Sequence, residues 1–345
     1  MGFLEGFKKS IKRSADEDAS DLNKEQDLNK PKEQKYFFIS CQKTADKEYL
    51  RSFIDDLFKS DTPSKIRSHE YRGRYYPKRF AEVFDEEMIK TDERRFFSID
   101  SEKISFTVRS ERLDEVLSLI LIIDYDLADS LYTQIEKFII REAVLAFETD
   151  LHDISIQNQT EINMLEWMGE NPDDYPKCES SRNGVMEIDI KKNPGYVFKT
   201  KGYSLCAAYR MWFGSDSCRI FDRDTLRNYP AYENVTIDND VTRITLYEDI
   251  KDYRNNRDKQ LEFRNELHID EIAERLIKQE MTEYRDNSDS EINIQEGQFS
   301  HGGVRLIQTY LKDGRTVSRS KADSVEEREL DANGKEVFKI IKTLK

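Results

Sequence analysis

Apolar and polar positions alternate along this chain with two different periods, and the changes of period mark its elements. YFFISC at residues 36–41 is an apolar run bounded by charge, which predicts a short strand. Tyr49, Leu50, Phe53, Ile54, Leu57 and Phe58 then recur at the spacing of one helix face. Thr44 is the predicted N-cap of that helix, which must end before Thr62-Pro63 because the residue ahead of a proline avoids the α region. Residues 80–89 repeat the helical pattern, and Ile104, Phe106 and Val108 alternate with polar neighbours as a strand. The apolar block at 117–123 satisfies a buried strand and a buried helix equally. A long helix is predicted from Asp126, with Asp129 completing a capping box, through Leu131, Ile135, Phe138, Ile139 and Val144 to about Glu148.

Beyond Gly184 the period returns to two. Met186, Ile188 and Ile190 alternate with Glu187, Asp189 and Lys191, and residues 235–241 read as a strand and turn leading to Ile244 and Leu246. Asp270 is the expected cap of a helix through Ile272, Leu276, Ile277 and Met281. Near the end, Asp313-Gly314 and Asn333-Gly334 are hairpin turns, since the turn that matches strand twist needs positive φ at both central residues. Strands and helices mix without regular βαβ alternation, so the expected class is α+β, with antiparallel strands and a C-terminal β-meander. The predicted organisation is a basic amphipathic helix at 1–13, a charged linker at 14–35 and an α+β core at 36–285. That core divides into a helical part, 36–160, and a strand-rich part, 180–285; a polar linker at 286–303 precedes the meander at 304–345.

Composition narrows the function classes. The chain has 345 residues, 36% of them charged, with a net charge of −14, yet 17 Tyr and 19 Phe supply a true core. Cys41, Cys178, Cys206 and Cys218 form no Cys-x-x-Cys pair, which fits a reducing compartment and argues against a zinc knuckle. The apolar run at 116–123 is far short of the roughly 18 residues that cross a bilayer, and the front end matches neither a secretory signal nor a myristoylation motif. The expected location is cytoplasmic, peripheral to a membrane at most.

Against that acidic background GFLEGFKKSIKR, residues 2–13, is basic. On a helix Phe3, Leu4, Phe7 and Ile11 share one face, and Lys8, Lys9, Lys12 and Arg13 fill the remainder. Burying four such side chains gains about 6–12 kcal/mol, against about 1–2 kcal/mol for each backbone residue ordered. The element therefore needs a surface to fold on. The leading expectation is a non-enzymatic adaptor with no cofactor, its acidic body engaging a basic protein partner and Phe3, Leu4, Phe7, Lys8, Ile11 and Lys12 docking on a membrane surface or partner.

Two further constellations carry chemistry. Pro172-Asp173 followed by Asp189-Ile190-Lys191 resembles the PD-(D/E)xK nucleases, a resemblance that covers about 20 residues. It implies that Asp173 and Asp189 hold Mg²⁺ while Lys191, on the same strand face as Asp189, positions the attacking water. KIRSHEYRGRYYPKRF, residues 65–80, interleaves Lys65, Arg67, Arg72, Arg74, Lys78 and Arg79 with Tyr71, Tyr75, Tyr76 and Phe80. Guanidinium groups hold phosphates and rings stack on unpaired bases, so this stretch is the candidate nucleic-acid contact. The plainer readings are an exposed strand face for the first and ion pairs with the abundant carboxylates for the second. Tyr203, Leu205, Tyr209, Met211, Trp212 and Phe213 are expected in the core.

Overall fold

The computed structural model describes residues 33–90, 94–180, 184–287, 305–312, 315–316, 322–330 and 336–343. The predicted helix at 1–13, the linker up to residue 32, the polar segment from 288 to 303 and the tips of both C-terminal hairpins lie outside them.

Strand β1 (Gln34–Gln42) leads to α1 (Lys47–Leu57), the hairpin β2 (Lys65–Ser68) and β3 (Arg72–Arg74), α2 (Pro77–Ile89), β4 (Arg95–Asp100), β5 (Ile104–Ser110) and β6 (Val116–Asp124). Helix α3 (Tyr125–Glu142), β7 (Ala143–Asp150), α4 (Leu151–Gln157), α5 (Ile162–Trp167) and the hairpins β8 (Lys177–Glu179) with β9 (Met186–Ile188) and β10 (Phe198–Thr200) with β11 (Tyr203–Leu205) follow. Next come β12 (Arg210–Phe213), α6 (Arg223–Asn228), β13 (Glu233–Ile237), β14 (Val241–Thr245), α7 (Arg257–Glu266) and α8 (Ile269–Asn287). The C-terminal strands are β15 (Arg305–Lys312), β16 (Arg315–Thr316), β17 (Ser324–Leu330) and β18 (Glu336–Thr343).

The class is mixed α+β with antiparallel sheets. Ten strands form one sheet in the order β13-β14-β12-β7-β1-β6-β5-β4-β2-β3, and every neighbouring pair is antiparallel. It runs without a break from residues of the predicted helical part into the strand-rich part, joined where β7 pairs with β12. At the C-terminus β17 pairs with β15 on one side and β18 on the other, and β16 lies on the outer edge of β15.

Both sheet faces carry a core, because helices bury their apolar stripes on each side. On the first face Leu50, Phe53, Ile54 and Leu57 of α1, Phe80, Val83, Phe84 and Met88 of α2, and Ile135, Phe138 and Ile139 of α3 cover Phe37, Phe97, Phe106, Leu119 and Trp212. The stacked rings of Phe53 and Phe138 lie 4.1 Å apart. On the second face Phe38, Leu145, Phe147, Met211, Phe213 and Ile244 pack with Ile156, Leu165, Phe263, Ala273 and the β10–β11 hairpin. As expected, Tyr203, Leu205, Tyr209, Met211, Trp212 and Phe213 are all buried.

Three local expectations are corrected and one ambiguity is resolved. The helix predicted to reach Glu148 ends at Glu142, and residues 143–150 form the central strand β7. A strand buried on both faces loses its alternation, so its apolar residues extend a helical stripe seamlessly. Asp46 rather than Thr44 caps α1, its carboxylate accepting from the Tyr49 amide at 3.1 Å. The ambiguous block at 117–123 is strand β6. Asp270 lies inside the first turn of α8, where its carboxylate pairs with Arg264 instead of capping the helix.

Candidate anion-binding face

The β2–β3 hairpin sets Lys65 opposite Arg74, Arg67 opposite Arg72, and Ile66 opposite Gly73. Because side chains alternate along a strand, the four cations share the second face of the sheet, while Ile66 is fully buried on the first. A Cβ on Gly73 would meet the Tyr71 hydroxyl at 2.5 Å, so a larger residue there would require the Tyr71 side chain to shift. Like charges placed directly across a strand pair destabilise it by about 0.2–1 kcal/mol, so two such pairs side by side work against the fold. Arg67 is relieved by Asp100 at 2.8 Å. Among the described residues, Lys65, Arg72, Arg74 and Lys78 make no ion pair.

The face extends inward along the sheet. Ser98 of β4 lies between Arg67 and Thr107, Asp100 lies between Lys65 and Ser105, and Phe96 lies opposite Arg109 of β5. Ser105, Thr107, Arg109 and Phe96 are half-buried, whereas the alternating partners Ile104, Phe106, Val108, Phe97 and Ile99 are wholly buried on the first face. The exposed His69 ring lies 5.5 Å from that of Phe96. This end of the sheet therefore has a helix-packed face and an open, cationic, polar one.

Lys199 borders the same floor from the β10–β11 hairpin. Its turn, Lys201-Gly202, has positive φ at both residues, 48° and 84°, the geometry that two-residue hairpins favour. A Cβ on Gly202 would lie 2.8 Å from the Val116 carbonyl. The Ser118 hydroxyl donates to the Gly202 carbonyl at 2.6 Å, and Ser118 is the residue directly across from Arg109. The buried Lys201 ammonium ties the turn to Glu115 at 2.8 Å and to Glu283 of α8 at 2.7 Å. Lys199 sits in an exposed position, but the protein around it removes enough water to lower its pKa, and the Arg109 charge lowers it further. Neither Arg109 nor Lys199 makes an ion pair among the described residues. The nearby Tyr36 phenol is pushed up to about 12 by burial, with Arg109 pulling the other way.

Of the residues predicted to contact nucleic acid, the fold brings Arg67, Arg72 and Arg74 together on this face. Arg79 instead pairs with Glu82 at 2.9 Å and covers the Tyr71 ring at 4.4 Å. Tyr75 is half-buried beside Phe80, and Lys78 is exposed in the first turn of α2. Arg109 and Lys199 escaped the sequence reading. Their signals were the polar half of the β5 alternation and a lone lysine beside a Lys-Gly turn.

The nuclease-like residues are arranged differently from the pattern they resemble. Strand β9 stops at Ile188, and residues 190–192 form a 3₁₀ turn, so Asp189 and Lys191 do not share a strand face. The cause is tertiary: Arg264 of α7 donates to the carbonyls of Lys191 and Asn193, which bends the chain away from extension. The Asp189 amide donates to the Pro176 carbonyl at 2.8 Å, near the turn that carries Asp173. Each carboxylate has its own lysine: Asp173 pairs with Lys177 and is held below the usual carboxylate range by it, and Asp189 pairs with Lys192 at 3.0 Å. Among the described residues, no group of three or more His, Cys, Asp or Glu is placed to hold a metal ion. Phe3, Leu4, Phe7, Lys8, Ile11 and Lys12 lie outside the described residues. No described helix is long and apolar enough to cross a membrane.

No protein-family model, curated protein or solved structure matches this chain.

Proposed function

We propose that the protein binds single-stranded nucleic acid on the open face of β2, β3, β4 and β5. The observation that carries this reading is the pair of cross-strand cation pairs, Lys65 with Arg74 and Arg67 with Arg72, on one sheet face of a protein whose net charge is −14. An arrangement that repels itself in the free protein is relieved by a polyanion. The acidic remainder weakens long-range attraction, but charges beyond about 8–10 Å are screened at physiological salt, so the local field decides binding once contact is made.

A strand-built floor favours a single strand over a duplex, because reading a duplex calls for an element that enters a groove. From Arg109 to Arg72 the face spans three strand spacings, about 14 Å, enough to follow successive phosphates. Lys65, Arg72 and Arg74 neutralise phosphates, and Thr107 offers a hydroxyl to sugars and base edges. Phe96 and His69 provide rings for stacking. This chemistry is recognition without bond breaking.

The test is fluorescence anisotropy of a dye-labelled oligopyrimidine with the full chain and with its K65Q/R72Q/R74Q variant. At about 0.1 M salt three lost phosphate contacts weaken single-strand binding by about 100-fold. The variant should melt no lower than wild type, since repulsion is removed. Absence of binding by wild type, or an unchanged affinity in the variant, contradicts the reading.

A further inference from the structure

We infer that Arg109 and Lys199 form a subsite for a phosphomonoester dianion, the terminal phosphate of the bound strand. This inference rests on the nucleic-acid reading of the same face.

Separate parts of the fold bring the two cations into one neighbourhood: Arg109 has its place in β5 directly across from Ser118, and the hairpin that carries Lys199 docks on Ser118 through Gly202 and is clamped through Lys201. Neither makes an ion pair among the described residues, and the Arg109 charge works against the protonated Lys199. The hairpin cannot easily swing away to relieve this, because Thr200 and the Lys201 amide are both bonded to Glu280 of α8, at 2.9 and 3.1 Å. A backbone phosphodiester brings one negative charge, whereas a terminal monoester brings nearly two near neutral pH. A rigid pair of unmatched cations is therefore satisfied by the terminal group and only half satisfied by the backbone.

Position supports the assignment. The covering elements of the second face begin at the β10–β11 hairpin, so a strand lying across β3, β2, β4 and β5 meets a wall there. The Arg109–Lys199 pair stands where the open floor meets that wall. Thr107, two residues from Arg109 on the same face of β5, adds a hydroxyl donor within the floor.

The experiment compares oligonucleotides of one sequence bearing a 5′-phosphate, a 3′-phosphate or hydroxyl ends, together with inorganic phosphate, on the full-length chain. Wild type should prefer one of the phosphorylated strands by about fivefold or more at 0.1 M salt, the contribution of at least one further charge contact. R109Q and K199Q should each abolish that preference, and K65Q/R72Q/R74Q should weaken phosphorylated and hydroxyl strands equally. Removing either cation also removes repulsion, so R109Q and K199Q should melt at or above the wild-type temperature, which separates lost binding from lost folding. Equal affinity of wild type for phosphorylated and hydroxyl strands, or a preference that survives both substitutions, overturns the subsite. Should no oligonucleotide bind while inorganic phosphate stabilises wild type but neither R109Q nor K199Q, the subsite stands and the nucleic-acid reading falls. If inorganic phosphate is without effect as well, both fall.

Discussion

Glu148 lies at the centre of the sheet on β7, with its side chain fully removed from solvent. Its Oε2 accepts from Arg210 Nη1 at 3.0 Å, and the Lys35 ammonium lies 3.2 Å from Oε1, aligned instead to donate to Asp129 at 2.8 Å. Arg210 continues the row to the hydroxyls of Tyr132 at 2.7 Å and Thr245 at 3.1 Å, and Arg243 follows with Glu136 and Glu233. This row joins β1, β7, β12, β14 and β13 to α3, so it spans the seam between the two halves of the sheet. In Glu148→Met the side chain keeps its length and loses its charge, leaving two largely buried cations around an apolar group. Breaking such a pair from one side costs about 3–5 kcal/mol, whereas replacing all partners by apolar groups is close to neutral. Urea denaturation followed by circular dichroism reads the loss, and Lys35→Met in the Glu148→Met background should recover part of it. A loss below about 1 kcal/mol, or a second substitution that adds its full cost, would refute the claim that Glu148 holds this row together.

Other consequences are equally direct. Gly214 follows β12, and a Cβ there would come within 2.2 Å of the Ala143 carbonyl oxygen, so Gly214→Ala should destabilise the protein by about 3 kcal/mol in the same urea assay. Burial raises the folded-state pKa of Asp114 from 3.8 to about 6, so between those values the native state binds more protons than the unfolded one and stability falls as pH rises. Asp114→Asn should therefore raise the melting temperature at pH 7.5 and flatten its pH dependence between pH 4 and 6. In native alkylation followed by mass spectrometry, exposed Cys218 should react first, and Cys41 and Cys206, whose thiols burial pushes well up, should react only after unfolding.

Local patterning revealed those parts of the molecule in which one face is wet. Ile104, Phe106 and Val108 stood out as a strand because Ser105, Thr107 and Arg109 between them face outward, so the alternation that identified β5 also contained part of the binding face. Strand β7 gave no such contrast, since Leu145, Phe147, Ala146 and Glu148 are buried on opposite faces alike. The cationic character of residues 65–80 was plain, but which cations remain unpaired depends on Asp100 and Glu82, chosen by register and helix phase. The approach of the Lys199 hairpin to the Arg109 strand is wholly tertiary, produced by a turn on one segment docking against Ser118 on another. Asp189 and Lys191 failed as a strand pair for a related reason, because Arg264 from a distant helix reshapes their backbone.

The salt dependence of single-strand binding tests the central claim most directly. Lys65, Arg72, Arg74, Arg109 and Lys199 are the cations of this face that make no ion pair among the described residues. At about 0.7 for each cation that displaces a counterion, the logarithm of the association constant should fall against the logarithm of salt concentration with a slope of about −3.5. A slope near zero, or no measurable binding at low salt, would contradict the account.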